Sequence, residues 1–125
     1  MEIRESAEDY LEAILMLSER NVAVRSIDVA AQLGFSKPSV SIAMKKLREN
    51  GYVLMDGSGF ITLTDSGREI AERTYEKHKL ISKIFIQMGV PADVALEDAC
   101  HIEHALSPET FEAIKKYATE KGLIP

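Results

Sequence analysis

A single cysteine, Cys100, stands in the 125 residues, so no disulfide can close within the chain. That thiol is a small buried hydrophobe, a metal ligand or a redox-sensitive group. No apolar run is long enough to cross a bilayer, and no membrane partner is expected. The opening Met1-Glu2-Ile3-Arg4-Glu5 has neither the basic segment nor the apolar core of a secretory signal, and the expected location is the cytoplasm. Internal repeats, low-complexity tracts and linkers are missing as well. With 46% hydrophobic residues, the chain suits one cooperative domain or two small lobes. A positive balance is also lacking: the net charge is −5, which over the whole chain argues against a nucleic-acid partner. The charge is uneven, however. Residues 22–64 hold Arg25, Lys37, Lys45, Lys46 and Arg48 against Asp28, Glu49 and Asp56, a mildly basic middle between acidic flanks, compatible with one DNA-facing lobe.

The apolar positions Ala7, Tyr10, Leu11, Ile14 and Leu17 recur with helical spacing, and Ser6 followed by Asp9 reads as the start of that helix, which runs to about Glu19. Ser26 is read as the N-cap of a short helix that ends at Gly34, a residue suited to a left-handed stop. Phe35-Ser36 forms a turn. A second helix opens with Lys37-Pro38-Ser39, keeps Val40, Ala43, Met44 and Leu47 inward, and ends at Asn50-Gly51. Short helix, tight turn and longer helix make a helix-turn-helix. Two β-prone runs, Tyr52–Met55 and Phe60–Thr64, flank Asp56-Gly57-Ser58-Gly59 as a hairpin, and a hairpin in that place is a wing.

Thr64 or Asp65 then caps a long helix through Ile70, Ala71, His78, Ile81, Phe85 and Met88, with Gly89 at its end. Pro91 and Asp93 start another, whose apolar positions are Val94, Ala99, Ile102 and Leu106. Ser107-Pro108-Glu109 caps a last helix containing Phe111, Ile114 and Ala118 before Gly122. The expected fold is mainly α with a small β-hairpin, a winged helix-turn-helix domain (1–70) followed by an α-helical metal-binding and dimerisation domain (71–125). The second lobe has little core of its own and is expected to pair with a copy of itself.

Cys100, Glu103 and His104 fall at i, i+3 and i+4; read on one helix, a thiolate, a carboxylate and an imidazole share a face. That is a metal-ligand set, but one helix supplies only part of a coordination shell. Taken singly, the other candidates have plainer readings. Asp9 would close a capping box with Ser6, favoured by the helix dipole, and His78 would be a polar residue at a helix interface. Glu97 and His101 read as solvated. His101-Ile102-Glu103-His104 fails the inverted zinc-protease spacing, which needs two residues between the first histidine and the glutamate.

Taken together, Ser6-Ala7-Glu8-Asp9-Tyr10-Leu11-Glu12, the helix-turn-helix from Ile27 to Leu47, Leu63-Thr64-Asp65-Ser66-Gly67, His78, and the run from Glu97 to Ser107 resemble the diphtheria toxin repressor family of metal-dependent transcriptional repressors, in particular its small branch of manganese transport regulators. The resemblance spans nearly the whole chain. It implies a metal site with Asp9, Glu12, His78, Cys100, Glu103 and His104 as ligands. Manganese-type members have carboxylates at the positions of Asp9 and Cys100, and iron-type members have methionine and cysteine there, so this chain is a hybrid. Ser82 and Leu96 occupy the positions where larger relatives place an ancillary site, and that site is not expected. Nor is the additional C-terminal domain of the larger members, the sequence running only to Pro125.

Carboxylates and imidazole suit Fe²⁺ or Mn²⁺, while one thiolate shifts preference toward softer ions, so that Co²⁺, Zn²⁺ or Ni²⁺ are possible substitutes. Every such ligand binds deprotonated, and occupancy should fall in acid. For the double-stranded DNA operator, the expected surface is Ser36, Lys37, Ser39, Ser41 and Ile42 toward base edges and thymine methyls, with Lys45 and Lys46, and Arg48 beyond them, toward phosphates. The tip of the wing has no basic residue, so weak wing contacts are expected. The reading is thus a homodimeric, metal-dependent repressor of metal-uptake genes, not an enzyme and with no small-molecule substrate. The alternatives are a winged-helix regulator sensing oxidants through Cys100 and, further off, a metal-dependent hydrolase.

Overall fold

The computed structural model describes residues 5–20 and 23–123. The readings that rest on residues 1–4 and on Pro125 lie outside them. Among the described residues there are six helices and one two-stranded sheet: α1 (Glu5–Arg20), α2 (Ser26–Leu33), α3 (Lys37–Glu49), β1 (Val53–Met55), β2 (Ile61–Leu63), α4 (Asp65–Gln87), α5 (Ala92–Ile102) and α6 (Pro108–Glu120). The chain divides into two compact units, Met1–Arg73 and Thr74–Pro125, so the division falls inside α4.

In the first unit α1 packs on α2, α3 and β2, and α3 packs on α2 and β1. Leu11, Ile14, Val29, Val40, Met44, Leu47, Val53 and Ile61 are buried. The buried arc of α1 is wider than the predicted stripe, since Ala13 and Leu15 are buried as well. Two expected helix starts are corrected. Helix α1 already includes Glu5, so Ser6 lies inside it and Asp9 is not the third residue after a cap. The N-cap of α2 is Arg25, not Ser26, because Asp28 reaches back to accept a hydrogen bond from the Arg25 backbone N–H at 2.9 Å. A side chain three residues into the helix thereby does the capping work that the serine was expected to do. Gly34 ends α2 at φ 71°, the left-handed conformation that favours glycine.

Ser36 caps α3, its Oγ accepting from the Ser39 N–H at 3.3 Å. The hairpin pairs Val53 with Leu63, Leu54 with Thr62 and Met55 with Ile61, antiparallel. Val53 and Ile61 face inward while Leu54 and Thr62 face solvent. The Ile61 N–H donates to Val24 O at 2.7 Å, so the segment before α2 braces the outer side of β2. Thr64 is the residue that caps α4: its Oγ1 accepts from Gly67 N–H at 3.1 Å and donates to Gly51 O at 2.7 Å.

The second unit has a small core of Leu80, Phe111 and Ala118, with Ile84 and Leu123 packed against it. The inward face of α5 differs from the sequence reading. Ala95 and Ala99 are buried, whereas Val94, Leu96 and Ile102 are exposed. The alanines take the inward face of α5, and its larger apolar side chains stay outside. Ser107 caps α6 by accepting from the Thr110 N–H at 3.2 Å. Ser107→Ala should cost about 1 kcal/mol, read as a lower midpoint in chemical denaturation; an unchanged midpoint would show that the cap contributes nothing.

Candidate metal centre and DNA-facing surface

Helix α5 stops at Ile102, earlier than the single helical face expected for Cys100, Glu103 and His104. Glu103 follows as the C-cap with helical backbone (φ −58°, ψ −33°), and its N–H still donates to Ala99 O at 3.0 Å. The spacing from Cys100 to Glu103 is therefore helical. His104 lies in the turn that leads to Ser107-Pro108, where the next helix begins.

The Glu103 side chain is almost wholly buried, at 1% exposure. Its Oε2 lies 3.1 Å from His78 Nδ1, delivered by α4, and its Oε1 lies 3.3 Å from His104 Nε2. The second approach lacks hydrogen-bond alignment, and Oε1 accepts no hydrogen bond among the described residues. A carboxylate taken out of water carries a desolvation cost of several kcal/mol unless it is compensated. Among the described residues its oxygens face imidazoles rather than an ammonium or guanidinium group. A divalent cation taken up by these donors would compensate it, and carboxylate with imidazole is a donor set such ions accept. The donors present in this unit therefore fit a transition-metal ion. Cys100, expected as a buried thiol if it were structural, is instead exposed. Glu97 and His101 are exposed. Ser82 is buried, with its hydroxyl donated to His78 O at 2.7 Å, and Leu96 is exposed, so neither position offers a carboxylate or an imidazole.

In the first unit, α1 carries Asp9 half-buried and Glu12 buried, three residues apart on one side of the helix. Burial, with the Asp9 carboxylate adding to it, pushes the Tyr10 phenol above its ordinary value.

On α3, Ser36, Lys37, Ser39, Ser41, Ile42, Lys45 and Lys46 are all exposed, Ile42 at 59%. The Ser36 hydroxyl donates to Ser39 Oγ at 2.9 Å, so these two serines act as a linked pair, a coupling that spacing alone did not show. The turn of the hairpin is held by Asp56, whose Oδ1 accepts from the N–H groups of Ser58 and Phe60 at 2.8 and 3.0 Å. Sequence reading missed Arg25, which stacks on Phe60, 35 positions away. No short-range pattern could have found that contact.

A helix-turn-helix with a cationic outer face, on one chain with a buried acid between imidazoles, defines a metal-responsive DNA-binding regulator. Residues 2–59 match the family described as iron dependent repressor, N-terminal DNA binding domain, and residues 64–120 match iron dependent repressor, metal binding and dimerisation domain. The chain belongs to the iron-dependent repressor family, whose members are DNA-binding transcriptional repressors and not enzymes. It is 32% identical to the transcriptional regulator MntR of Salmonella typhimurium over 119 residues, 95% of this chain and 76% of that protein. It is 38% identical over 113 residues to an uncharacterised HTH-type transcriptional regulator of Methanocaldococcus jannaschii, 89% of this chain and 90% of that one. Among solved structures, a manganese-dependent transcriptional repressor in complex with manganese superposes with a TM-score of 0.82 at 30% identity, over 94% of this chain and 53% of that one. The chain thus spans about half the length of the solved repressors it matches.

Proposed function

We propose that the chain is a homodimeric repressor that takes Mn²⁺ or Fe²⁺ as corepressor and holds metal-uptake genes shut from within the cytoplasm. The buried Glu103 carboxylate, set between two imidazoles, is the observation that carries this reading. The ligands in this proposal are Asp9, Glu12, His78, Cys100, Glu103 and His104. When bound, the ion supplies the positive charge that these carboxylates and the thiolate lack among themselves. Without it, Asp9, Glu12 and Glu103 repel any arrangement that gathers them, so the acids disfavour the DNA-competent form until a cation is available. Ser36, Lys37, Ser39, Ser41, Ile42, Lys45 and Lys46 then meet the operator, serines and Ile42 toward base edges and lysines toward phosphates. Pairing of two copies supplies two recognition helices for a two-fold operator. The exposed apolar side chains Met88, Val94, Leu96 and Tyr117 of the second unit are compatible with pairing of two copies there.

A gel shift on promoter DNA, run with Mn²⁺, with Fe²⁺ under anaerobic conditions, and with chelator, tests the proposal. Binding should strengthen by about 5- to 150-fold with metal, the usual range of allosteric coupling. Equal binding in all three lanes would defeat the metal switch. The exposure of Cys100 favours one second reading, control by oxidation. Peroxide sensitivity combined with indifference to metal would select it.

A further inference from the structure

One side chain of α1 ties that helix to the turn of the helix-turn-helix. Tyr10 stands between Asp9 and Glu12 in the sequence of α1 and is buried, at 7% exposure. Its ring meets the Phe35 ring edge-on, with centroids 5.7 Å apart and planes inclined by 69°. Phe35 belongs to neither helix of the motif. Its N–H closes the end of α2 by donating to Ala30 O at 3.2 Å. The next residue, Ser36, is the N-cap of α3, and its carbonyl receives the Val40 N–H at 3.1 Å. Phe35 is thus the joint between the two helices. With 43% of it still exposed, the Tyr10 ring is the aromatic partner on its covered side.

Edge-to-face ring pairs contribute beyond the area they bury and favour particular ring orientations. Close-packed contacts pass a displacement on rather than absorb it. On one side of this pair lies the part of α1 that carries two carboxylates. On the other lies the end of α3 that carries Ser36, Lys37 and Ser39, all exposed. We propose that Tyr10 and Phe35 are positioning residues, through which an ion engaged by Asp9 and Glu12 sets the pose of the start of α3. This role rests on the metal switch proposed above and supplies the route by which that switch reaches the DNA-facing helix. If α1 and the helix-turn-helix instead moved as one rigid body, the ring pair would be an ordinary packing contact and its loss would leave the response to metal unchanged.

The test measures binding of the full chain, with Mn²⁺ and with chelator, to a short duplex that the wild-type protein has enriched from a random pool in Mn²⁺. The ratio of the two affinities is the coupling between metal and DNA. Phe35→Leu keeps an apolar side chain but removes the ring, and should lower that ratio by about 2- to 10-fold. Mn²⁺ affinity measured by calorimetry without DNA should stay at the wild-type value, since neither ring is a ligand. By reciprocity, the tightening of Mn²⁺ binding that the duplex confers should fall by the same factor as the ratio. Phe35→Tyr and Tyr10→Phe, which keep both rings, should hold the wild-type ratio. Tyr10→Leu combined with Phe35→Leu should lower it no further than either alone, the non-additivity expected of partners in one contact. Should Tyr10→Leu fail to fold, the half-exposed Phe35→Leu variant and the two ring-keeping variants still decide. A wild-type ratio in Phe35→Leu overturns the role, as does a loss of Mn²⁺ affinity without DNA. Equal weakening with and without Mn²⁺ overturns it too, and would make Phe35 a plain DNA contact. If the wild-type protein enriches no duplex, or binds it equally in Mn²⁺ and chelator, the metal switch itself fails and the role of the pair falls with it.

Discussion

Gly67→Ala should destabilise the DNA-binding unit by about 3–5 kcal/mol, although alanine is the better helix former by about 1 kcal/mol. The reason is a single close approach. A Cβ at position 67 would stand 2.0 Å from the carbonyl oxygen of Tyr52 and 3.0 Å from its carbon. Those are backbone atoms and cannot swing aside. The same oxygen accepts from the Thr64 N–H at 3.1 Å, while the Thr64 hydroxyl caps α4 and donates to Gly51 O. Making room for one methyl therefore means moving the first turn of α4 away from the root of the hairpin. That movement weakens a backbone hydrogen bond worth about 1 kcal/mol, a cap of similar size, and the packing around both. Against a typical total stability of about 5–15 kcal/mol, such a loss should lower the thermal midpoint by more than about 10 °C. Differential scanning calorimetry would read it directly. A midpoint equal to the wild type, or above it, would show that helix propensity outweighs the clash and that the approach relaxes freely.

Glu103→Gln is expected to leave the fold intact and to remove the response to metal. The amide has nearly the shape of the carboxylate and can still accept from His78, so a purely structural role would survive the change. What disappears is the negative charge. In metal-free protein the midpoint should hold or rise, because a buried carboxylate without a fixed cation no longer has to be accommodated. Added Mn²⁺ at about one hundred times its dissociation constant should stabilise the wild type by about 2.7 kcal/mol and the variant by much less. Calorimetric titration should show affinity reduced by at least about 100-fold, since loss of an outer-shell partner alone can reach that figure. A variant that binds and responds to Mn²⁺ like the wild type would remove Glu103 from the ligand set. A variant that simply unfolds would assign Glu103 to the core.

The two variants probe different kinds of information. Gly67 sits in Leu63-Thr64-Asp65-Ser66-Gly67, one of the segments that carry the family resemblance, but spacing and caps give no reason for a glycine there. Only the tertiary arrangement brings the Tyr52 carbonyl onto it, because that contact joins segments with no common periodicity. Glu103 is the opposite case. Its spacing from Cys100 was readable as helical, and the backbone N–H bond to Ala99 O keeps it so even though α5 ends one residue earlier. The burial of its carboxylate and the approach of His78 were not readable, since they depend on where α4 passes. Likewise, the row of alanines that α5 turns inward could not be told from its exposed valine and leucine by hydropathy alone, which favours the larger residues.

The amino-acid sequence by itself determined the order of elements, the helix-turn-helix with its hairpin, and the kinds of side chain available to a metal and to DNA. Local rules suffice there: apolar repeats, caps, and glycine where a left-handed turn is needed all act within a few residues. Tertiary structure alone decided that Glu103 is buried between two imidazoles, that Gly67 admits no side chain, and that Arg25 and Arg48 end on the hairpin. Each of these joins residues at least 15 positions apart, except Arg48 with Met55 and Glu103 with His104, which lie close in sequence but become meaningful only through the surfaces around them. Burial and close approach are properties of packed surfaces, and they arise only when distant segments meet.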